Sequence, residues 1–271
     1  MKLSVIITTY NKPAWLEKVF WGYENQTDAD FEVVVADDGS GSETRELIER
    51  FVKRGRLRIQ HVWHEDVGFR KTEILNKAIV ASEEDYLLFT DGDCIPRADF
   101  VQVHKERAVN GCFLSGGYLK LNMPVSEMLA EEAIVSQQAF DTKWLQKQGQ
   151  PKSPKMSKLA AKGWKRFLLE LLTPTKATWN GMNSSGWKND ITAVNGFNEQ
   201  MQYGGLDREM GERMMNNGIK PKQIRYSAIC IHLDHARGYA TPESIQKNKA
   251  IRARVKREKL VWTDFGIAKE R

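Results

Sequence analysis

The sequence predicts an α/β protein: a mostly parallel sheet flanked by helices, with a helical insert and a helical C-terminal tail. Three observations carry this. Through the first 110 residues, short continuous apolar runs alternate with amphipathic stretches, the pattern of parallel strands joined by right-handed crossovers. A polar cluster follows each apolar run, and such sheets bind ligands at the carboxyl ends of their strands. The 271 residues suffice for one large domain of ordinary soluble composition.

Residues 2–9 read as a buried strand. Pro13 opens a helix, where its fixed φ and missing N–H cost nothing. Trp15, Leu16, Val19, Phe20 and Tyr23 form its apolar stripe. Residues 31–36 are the second strand. Ser40-Gly41-Ser42-Glu43 has capping-box spacing and begins a helix through Leu47, Ile48 and Phe51 that Gly55 ends. Residues 57–63 form the third strand, 72–82 a helix with Ile74, Leu75, Ala78 and Ile79 inward, 86–90 the fourth strand and 98–110 the next helix.

After residue 110 the pattern changes. Gly116-Gly117 sits in an expected strand over 113–121. Residues 123–176 read as helical, with a Lys/Pro/Ser break over 150–158. The Gly-, Asn- and Ser-rich stretch 179–197 reads as an ordered substrate loop. Residues 207–217 form a short helix ended by Gly218, and 224–233 a last strand. The expected organisation is one domain over 1–240, comprising a first half (1–120), a basic helical insert (121–177) and a second half (178–240). A basic helical tail (241–271) follows.

The net charge is +6. From Lys143 to Lys176, nine Lys/Arg face a single acid, Glu170, with Trp144, Trp164, Phe167 and Leu168 interleaved; residues 244–271 hold nine basic and three acidic residues. Two readings compete: solvated helix faces, or contact with an anionic membrane or phosphorylated glycolipid. No nucleic-acid module is recognisable, so no nucleic acid is expected. No apolar run approaches the roughly 20 residues of a membrane helix, and the N-terminal run is too short for a signal-peptide core. Cys94, Cys112 and Cys230 are odd in number without metal-type spacing. They predict reduced thiols and a cytoplasmic protein.

Four polar clusters end the four strands: Thr8-Thr9-Tyr10-Asn11, Asp37-Asp38-Gly39-Ser40, residues 64–71, and Asp91-Gly92-Asp93. Two carboxylates one residue apart at a strand end converge on one point. Hard oxygen ligands suit Mn²⁺ or Mg²⁺, with a diphosphate completing the coordination. The competing reading is an Asp-Gly turn.

Ser4-Val5-Ile6-Ile7-Thr8-Thr9-Tyr10-Asn11, Asp37-Asp38-Gly39-Ser40 and Asp91-Gly92-Asp93 resemble the nucleotide-sugar half of family-2 inverting glycosyltransferases, which have the GT-A fold. Asn195-Gly196-Phe197, Tyr203-Gly204-Gly205-Leu206-Asp207-Arg208-Glu209, Arg213 and His232-Leu233-Asp234-His235 resemble the C-terminal segment shared with β-1,4-galactosyltransferases and bacterial chondroitin-type polymerases. The resemblance covers roughly residues 2–120 and 178–240; the insert and the tail lie outside it.

The resemblance implies a metal-dependent enzyme that moves a hexose or N-acetylhexosamine from a UDP-sugar to a hydroxyl of a surface glycan or glycolipid, of lipopolysaccharide-core or capsule type. Thr8 and Asp38 would hold the uridine and Asp91 the ribose, with Tyr10 and Gly92 as further nucleotide-binding candidates. Asp93 would bind the metal with one of His232 and His235. Arg70 or Lys71 would add positive charge near the diphosphate, and Asn76 is a further donor-binding candidate. Asp207 is the expected base for the acceptor hydroxyl, competing with an N-cap role, and Glu209 is the alternative. Trp187 and Trp179 are candidates to stack on a sugar or to pack in the core. Asn180 and Asn183 are candidates for sugar hydroxyls, and Gly205 for close backbone approach. Leu206 stands where related enzymes often carry an acid. The rivals are a sugar-phosphate nucleotidyltransferase, which would need a Gly-rich loop after the first strand, and an inactive glycan- or membrane-binding module.

Overall fold

In the computed structural model, which describes residues 1–161, 163–236 and 241–269, the chain starts with three βα repeats and a fourth strand. They run β1 (Leu3–Thr9), α1 (Pro13–Glu24), β2 (Phe31–Asp37), α2 (Ser42–Arg54), β3 (Arg58–Trp63), α3 (Lys71–Ala81) and β4 (Tyr86–Asp91). β1 is central and pairs in parallel with β2 and β4; β3 adds beyond β2. Every residue of β1 and β2 is buried, because both faces of this sheet are covered. The period-2 alternation divides the strands between two cores. Val5, Ile7, Val33, Val35 and Leu88 pack with α1 and α2, whereas Ile6, Val34, Ala36, Leu87 and Phe89 pack with α3. The expected capping box is corrected. Gly41 caps α2 without a side-chain bond, because the Ser40 hydroxyl instead accepts the Asn11 N–H at 2.9 Å.

The chain continues through β5 (Cys94–Pro96), α4 (Phe100–Arg107), β6 (Cys112–Ser115) and β7 (Gly117–Lys120). The single strand expected over 113–121 is two strands in two sheets. The break is at Gly116, packed so tightly on Asn183 that a Cβ would lie 2.0 Å from its Oδ1.

The insert holds short pieces rather than long helices: α5 (Met123–Met128), α6 (Glu131–Val135), α7 (Thr142–Lys147), α8 (Ser157–Ala160) and α9 (Gly163–Leu172), with 3₁₀ turns at Gln138–Phe140 and Pro154–Met156. Asn122, Asp141 and Ser153 each cap a new start by accepting a backbone N–H, and Gly149 turns the chain at φ 97°.

Residues 179–197, expected as a loop, carry β8 (Ser184–Trp187) and α10 (Lys188–Ala193). Then follow α11 (Leu206–Asn216), β9 (Lys220–Gln223), β10 (Ile229–His232) and α12 (Pro242–Glu258). The main sheet runs β3-β2-β1-β4-β8-β6-β9, and the small sheet runs β5-β10-β7. In the small sheet β10 and β5 are antiparallel, with His232 opposite Cys94. The tail is packed, not free. Arg252 and Lys256 pair with Glu212, and the Asn195 side chain bonds the backbone of Thr263 and Ala268. Among the described residues, no helix is long and apolar enough to cross a membrane.

Candidate active site

A cavity of about 740 Å³ opens at the carboxyl ends of β1 and β4, bounded by residues 203–207 and by His232, His235 and Ala236. The strand-end loops are latched together. Asn11 Oδ1 accepts the Gly41 N–H at 2.9 Å, and the Gly92 N–H donates to Thr8 O at 2.7 Å. Gly92 is needed for that approach, since a Cβ would meet Thr8 O at 2.9 Å.

At one end of the cavity, Asp91 Oδ1 accepts from Thr8 Oγ1 at 2.7 Å and from Lys71 Nζ at 2.6 Å. Burial works against the Lys71 charge, but Asp91, Asp207 and Asp93 together hold its pKa above the ordinary lysine value. It is a fixed cation. Asp38 Oδ1 lies 2.7 Å from His64 Nε2, and Oδ2 accepts the Arg70 N–H at 3.1 Å. Burial pushes the Asp38 carboxyl up, and the His64 contact opposes it. Tyr10 reaches outward and donates to Asp66.

Asp93, His232 and His235 form the second cluster. His235 Nε2 is 3.0 Å from Asp93 Oδ2, and His232 Nε2 is 3.9 Å from Oδ1. The two rings stack with centroids 5.4 Å apart. Each Nδ1 meets a backbone carbonyl, Leu233 O at 2.7 Å and Ala236 O at 2.8 Å. Each carbonyl accepts the Nδ1 hydrogen, which turns both Nε2 atoms toward Asp93; protonated, His235 Nε2 donates to Asp93, and deprotonated it offers a lone pair to a cation, the usual outer support of a metal-binding histidine. Burial raises the Asp93 pKa, but the His235 hydrogen bond and the charges of both histidines outweigh it and bring it down to about 2. The bond to Asp93 raises His235. One ligand atom each from Asp93, Cys94 and His232 lies within 4.8 Å of the others. Burial pushes the Cys94 thiol well up, so it serves Asp93 as a neutral S–H donor. A carboxylate with imidazole beside it fits Mn²⁺ better than the oxygen-seeking Mg²⁺ when a diphosphate supplies further oxygens.

Asp207 lies in the first turn of α11, behind Gly204 and Gly205 at φ 110° and 86°. Those left-handed values turn the chain sharply into the helix. A Cβ at Gly181 would lie 2.6 Å from Asp207 Oδ1, so glycine there lets the 180–183 loop close on the carboxyl. Oδ1 is buried without a hydrogen-bond partner. Burial raises the Asp207 pKa to about 6; the Lys71 charge lowers it and the Asp91 charge raises it.

The cavity thus collects Thr8, Tyr10, Asp38, Lys71, Asp91, Gly92, Asp93, Gly205, Asp207, His232 and His235. Seven expected residues do not line it. Glu209 is buried in an ion pair with Arg213 at 2.8 Å, and Arg213 also donates to the Val194 and Gly196 carbonyls; it ties α11 to the 194–196 turn. The Arg70 side chain pairs with Glu73 and donates to Glu65 O. Asn76 is buried, donating to Phe197 O and accepting the Phe197 N–H. Asn183 is buried and donates to Gly117 O and Ala228 O. Asn180 donates to Ser115 Oγ and Asn183 O, shaping its own loop. Trp187 packs edge-on to Tyr86 and donates to Val109 O. Trp179 is wholly buried between Phe89 and Phe113.

The sequence reading missed Lys12, Phe69, Tyr118, Met182 and Tyr203, which line the cavity, and His64, which braces Asp38. Lys12 adjoins the first motif and Tyr203 stands inside the second, so adjacency and motif membership were available signals. Burial lowers the Lys12 pKa, with the Asp93 charge opposing it.

Residues 4–148 match the model of Glycosyl transferase family 2. Validoxylamine A glucosyltransferase of Streptomyces hygroscopicus subsp. jinggangensis is 30% identical over 250 residues, covering 87% of this chain and 56% of that protein. The chain therefore spans about half the length of that relative. Among solved structures, Staphylococcus aureus TarS residues 1–349 in complex with UDP-GlcNAc aligns with TM-score 0.65 at 15% identity, over 96% of this chain and 69% of that one. The mannosyltransferase PcManGT from Pyrobaculum calidifontis in complex with GDP-Man and Mn²⁺ aligns with TM-score 0.58 at 16% identity, over 93% and 69%. These likenesses give the fold.

Proposed function

Because the chain belongs to glycosyl transferase family 2 and so is a glycosyltransferase, we propose that it moves a hexose or N-acetylhexosamine from a UDP-sugar to an acceptor hydroxyl, with inversion at the sugar carbon. The observation that carries this reading is one cavity with two unlike carboxylates: Asp93 paired to histidines with a pKa near 2, and Asp207 buried with a pKa near 6. Environments that push two acids apart divide their roles.

In this reading Asp207, ionised at neutral pH, takes the acceptor proton as the acceptor oxygen bonds to the anomeric carbon. The bond from that carbon to the diphosphate oxygen breaks on the opposite face. Lys71, fixed on Asp91, sits where it would meet negative charge gathering on the diphosphate. Asp93, His232 and His235 would hold Mn²⁺ or Mg²⁺, which when bound supplies Lewis-acid neutralisation of that leaving group. Asp38, braced by His64, has an oxygen suited to the uracil imide, with Thr8 and Tyr10 beside it. The UDP-GlcNAc complex of TarS and the Mn²⁺ complex of PcManGT support the choice of donor class and metal.

For the acceptor, we favour a surface glycan or glycolipid at the cytoplasmic face of an anionic membrane, supported by the excess of basic residues over 143–176. A small soluble acceptor is the second reading, favoured by the name of the validoxylamine relative. A screen of nucleotide sugars for Mn²⁺-dependent nucleotide release tests the core of the proposal. UDP release that vanishes in Asp93→Ala and Asp207→Asn is expected. Turnover undiminished by both substitutions overturns the assignment.

A further inference from the structure

We propose that α9 is an interfacial anchor that lies in the plane of an anionic lipid surface. This deepens the membrane part of the reading above and rests on it only for where the acceptor is found. Within α9, no described residue is buried as a whole. Trp164, Phe167, Leu168, Leu171 and Leu172 are 71, 60, 40, 69 and 66% exposed. Their spacing of three, four, seven and eight residues from Trp164 draws one stripe along the helix. A stripe of that pattern normally faces a core. Here it faces outward, far beyond the scattered apolar residues of an ordinary surface.

The charge around the stripe selects the occupant. Nine basic residues and one acid occupy 143–176. That acid, Glu170, has its side chain only 8% exposed and lies 4.0 Å from Arg107, turned away from the stripe. Lys165 is exposed beside Trp164, 6.0 Å from its ring centroid. An apolar stripe bordered by cations with its acid withdrawn complements anionic headgroups over acyl chains. Ten residues span only about 15 Å, too short to cross a bilayer, so the helix lies in the interface.

The segment is also fastened to the cavity wall. Before α9, Lys158 Nζ donates to Tyr118 O at 3.1 Å and sits 5.1 Å from the Tyr118 ring centroid. After it, Thr178 O accepts from Ser115 Oγ at 2.8 Å. Tyr118 and Met182 line the cavity. Seating α9 on lipid therefore sets the cavity near the surface that would carry a lipid-linked acceptor.

The test uses the full chain with vesicles of phosphatidylcholine alone or mixed with phosphatidylglycerol, at low and moderate salt. The parent should bind only the mixed vesicles, and brominated acyl chains should quench a fluorescence component that Trp164→Phe removes. Combined Trp164→Ser, Phe167→Ser and Leu171→Ser should lower partitioning on the order of a hundredfold; Lys165→Gln with Arg166→Gln should weaken it and flatten its salt dependence. Metal-dependent UDP release in solution should stay at the parental level in all of these, which separates this inference from the transfer reaction. Vesicle binding retained in full by the triple serine variant overturns the anchor while leaving membrane contact standing. Absence of binding by the parent overturns both. A parental dimer in sedimentation that the serine variant loses, without vesicle binding, makes the stripe a protein interface and also overturns the anchor.

Discussion

Asp93 and Asp207 face the same cavity, and the contrast between their surroundings is chemical rather than positional. Asp93 lies between two imidazoles and a thiol donor, so it stays ionised down to about pH 2 despite burial. Asp207 has a partnerless Oδ1 against Gly181, and burial lifts its pKa to about 6. The first environment is built to keep charge in place, the second to take up a proton. One residue type is thereby given two tasks by what surrounds it.

The sharpest way to break the contrast is Asp207→Asn. Turnover should fall about 10³- to 10⁴-fold, with UDP affinity by calorimetry unchanged. The same variant should be more stable. A carboxyl whose folded pKa exceeds its unfolded value near 4 makes the folded state bind protons more readily, so its ionisation costs stability as pH rises from roughly 4 through 6. Thermal melts of Asp207→Asn should therefore gain at pH 7.5 and match the parent near pH 4. Equal melts at both pH values would remove the buried-base description.

Glu209 supplies the control, an acid two residues away with a structural duty. Glu209→Ala leaves Arg213 buried and unpaired and should cost about 3–5 kcal/mol in denaturant unfolding. Asp93→Ala should lower turnover about 10²- to 10³-fold and abolish Mn²⁺ binding measured by titration, without the stability gain of Asp207→Asn. His232→Ala and His235→Ala should each weaken Mn²⁺ by about 10- to 100-fold; a histidine whose loss leaves affinity intact is not a ligand. The smallest effect is the pH profile. kcat/KM should fall about tenfold per unit below pH 6 as Asp207 takes up its proton, and that limb should be missing from the residual activity of Asp207→Asn.

The first half of the fold was legible because its strands are short apolar runs with polar ends, and β1 to β4 lie within a residue or so of the expected bounds. The cluster at their carboxyl ends was legible for the same reason. Beyond residue 110 two physical facts hid the structure. Hydrogen-bonding side chains were read as ligands, yet Asn76 and Asn183 are interior fasteners for backbone groups. Donor type shows in a sequence; burial does not. Glu209 illustrates helical phase. Two residues on a helix differ by roughly 200°, so it cannot share the outlook of Asp207, and its spacing to Arg213 points to an internal pair. The insert deceived differently: Asn122, Asp141 and Ser153 each restart a helix, where the sequence read as helical with a single break.

The pairing of β5 with β10 carries a consequence of its own. His232 lies opposite Cys94, and the Leu233 N–H donates to Asp93 O at 2.9 Å. Main-chain bonds thus hold residues from distant parts of the chain side by side, independently of any ion. The insert over 121–177 lies between these strands in the chain, so it can change length while the zipped ends keep their register and Asp93 keeps its histidines.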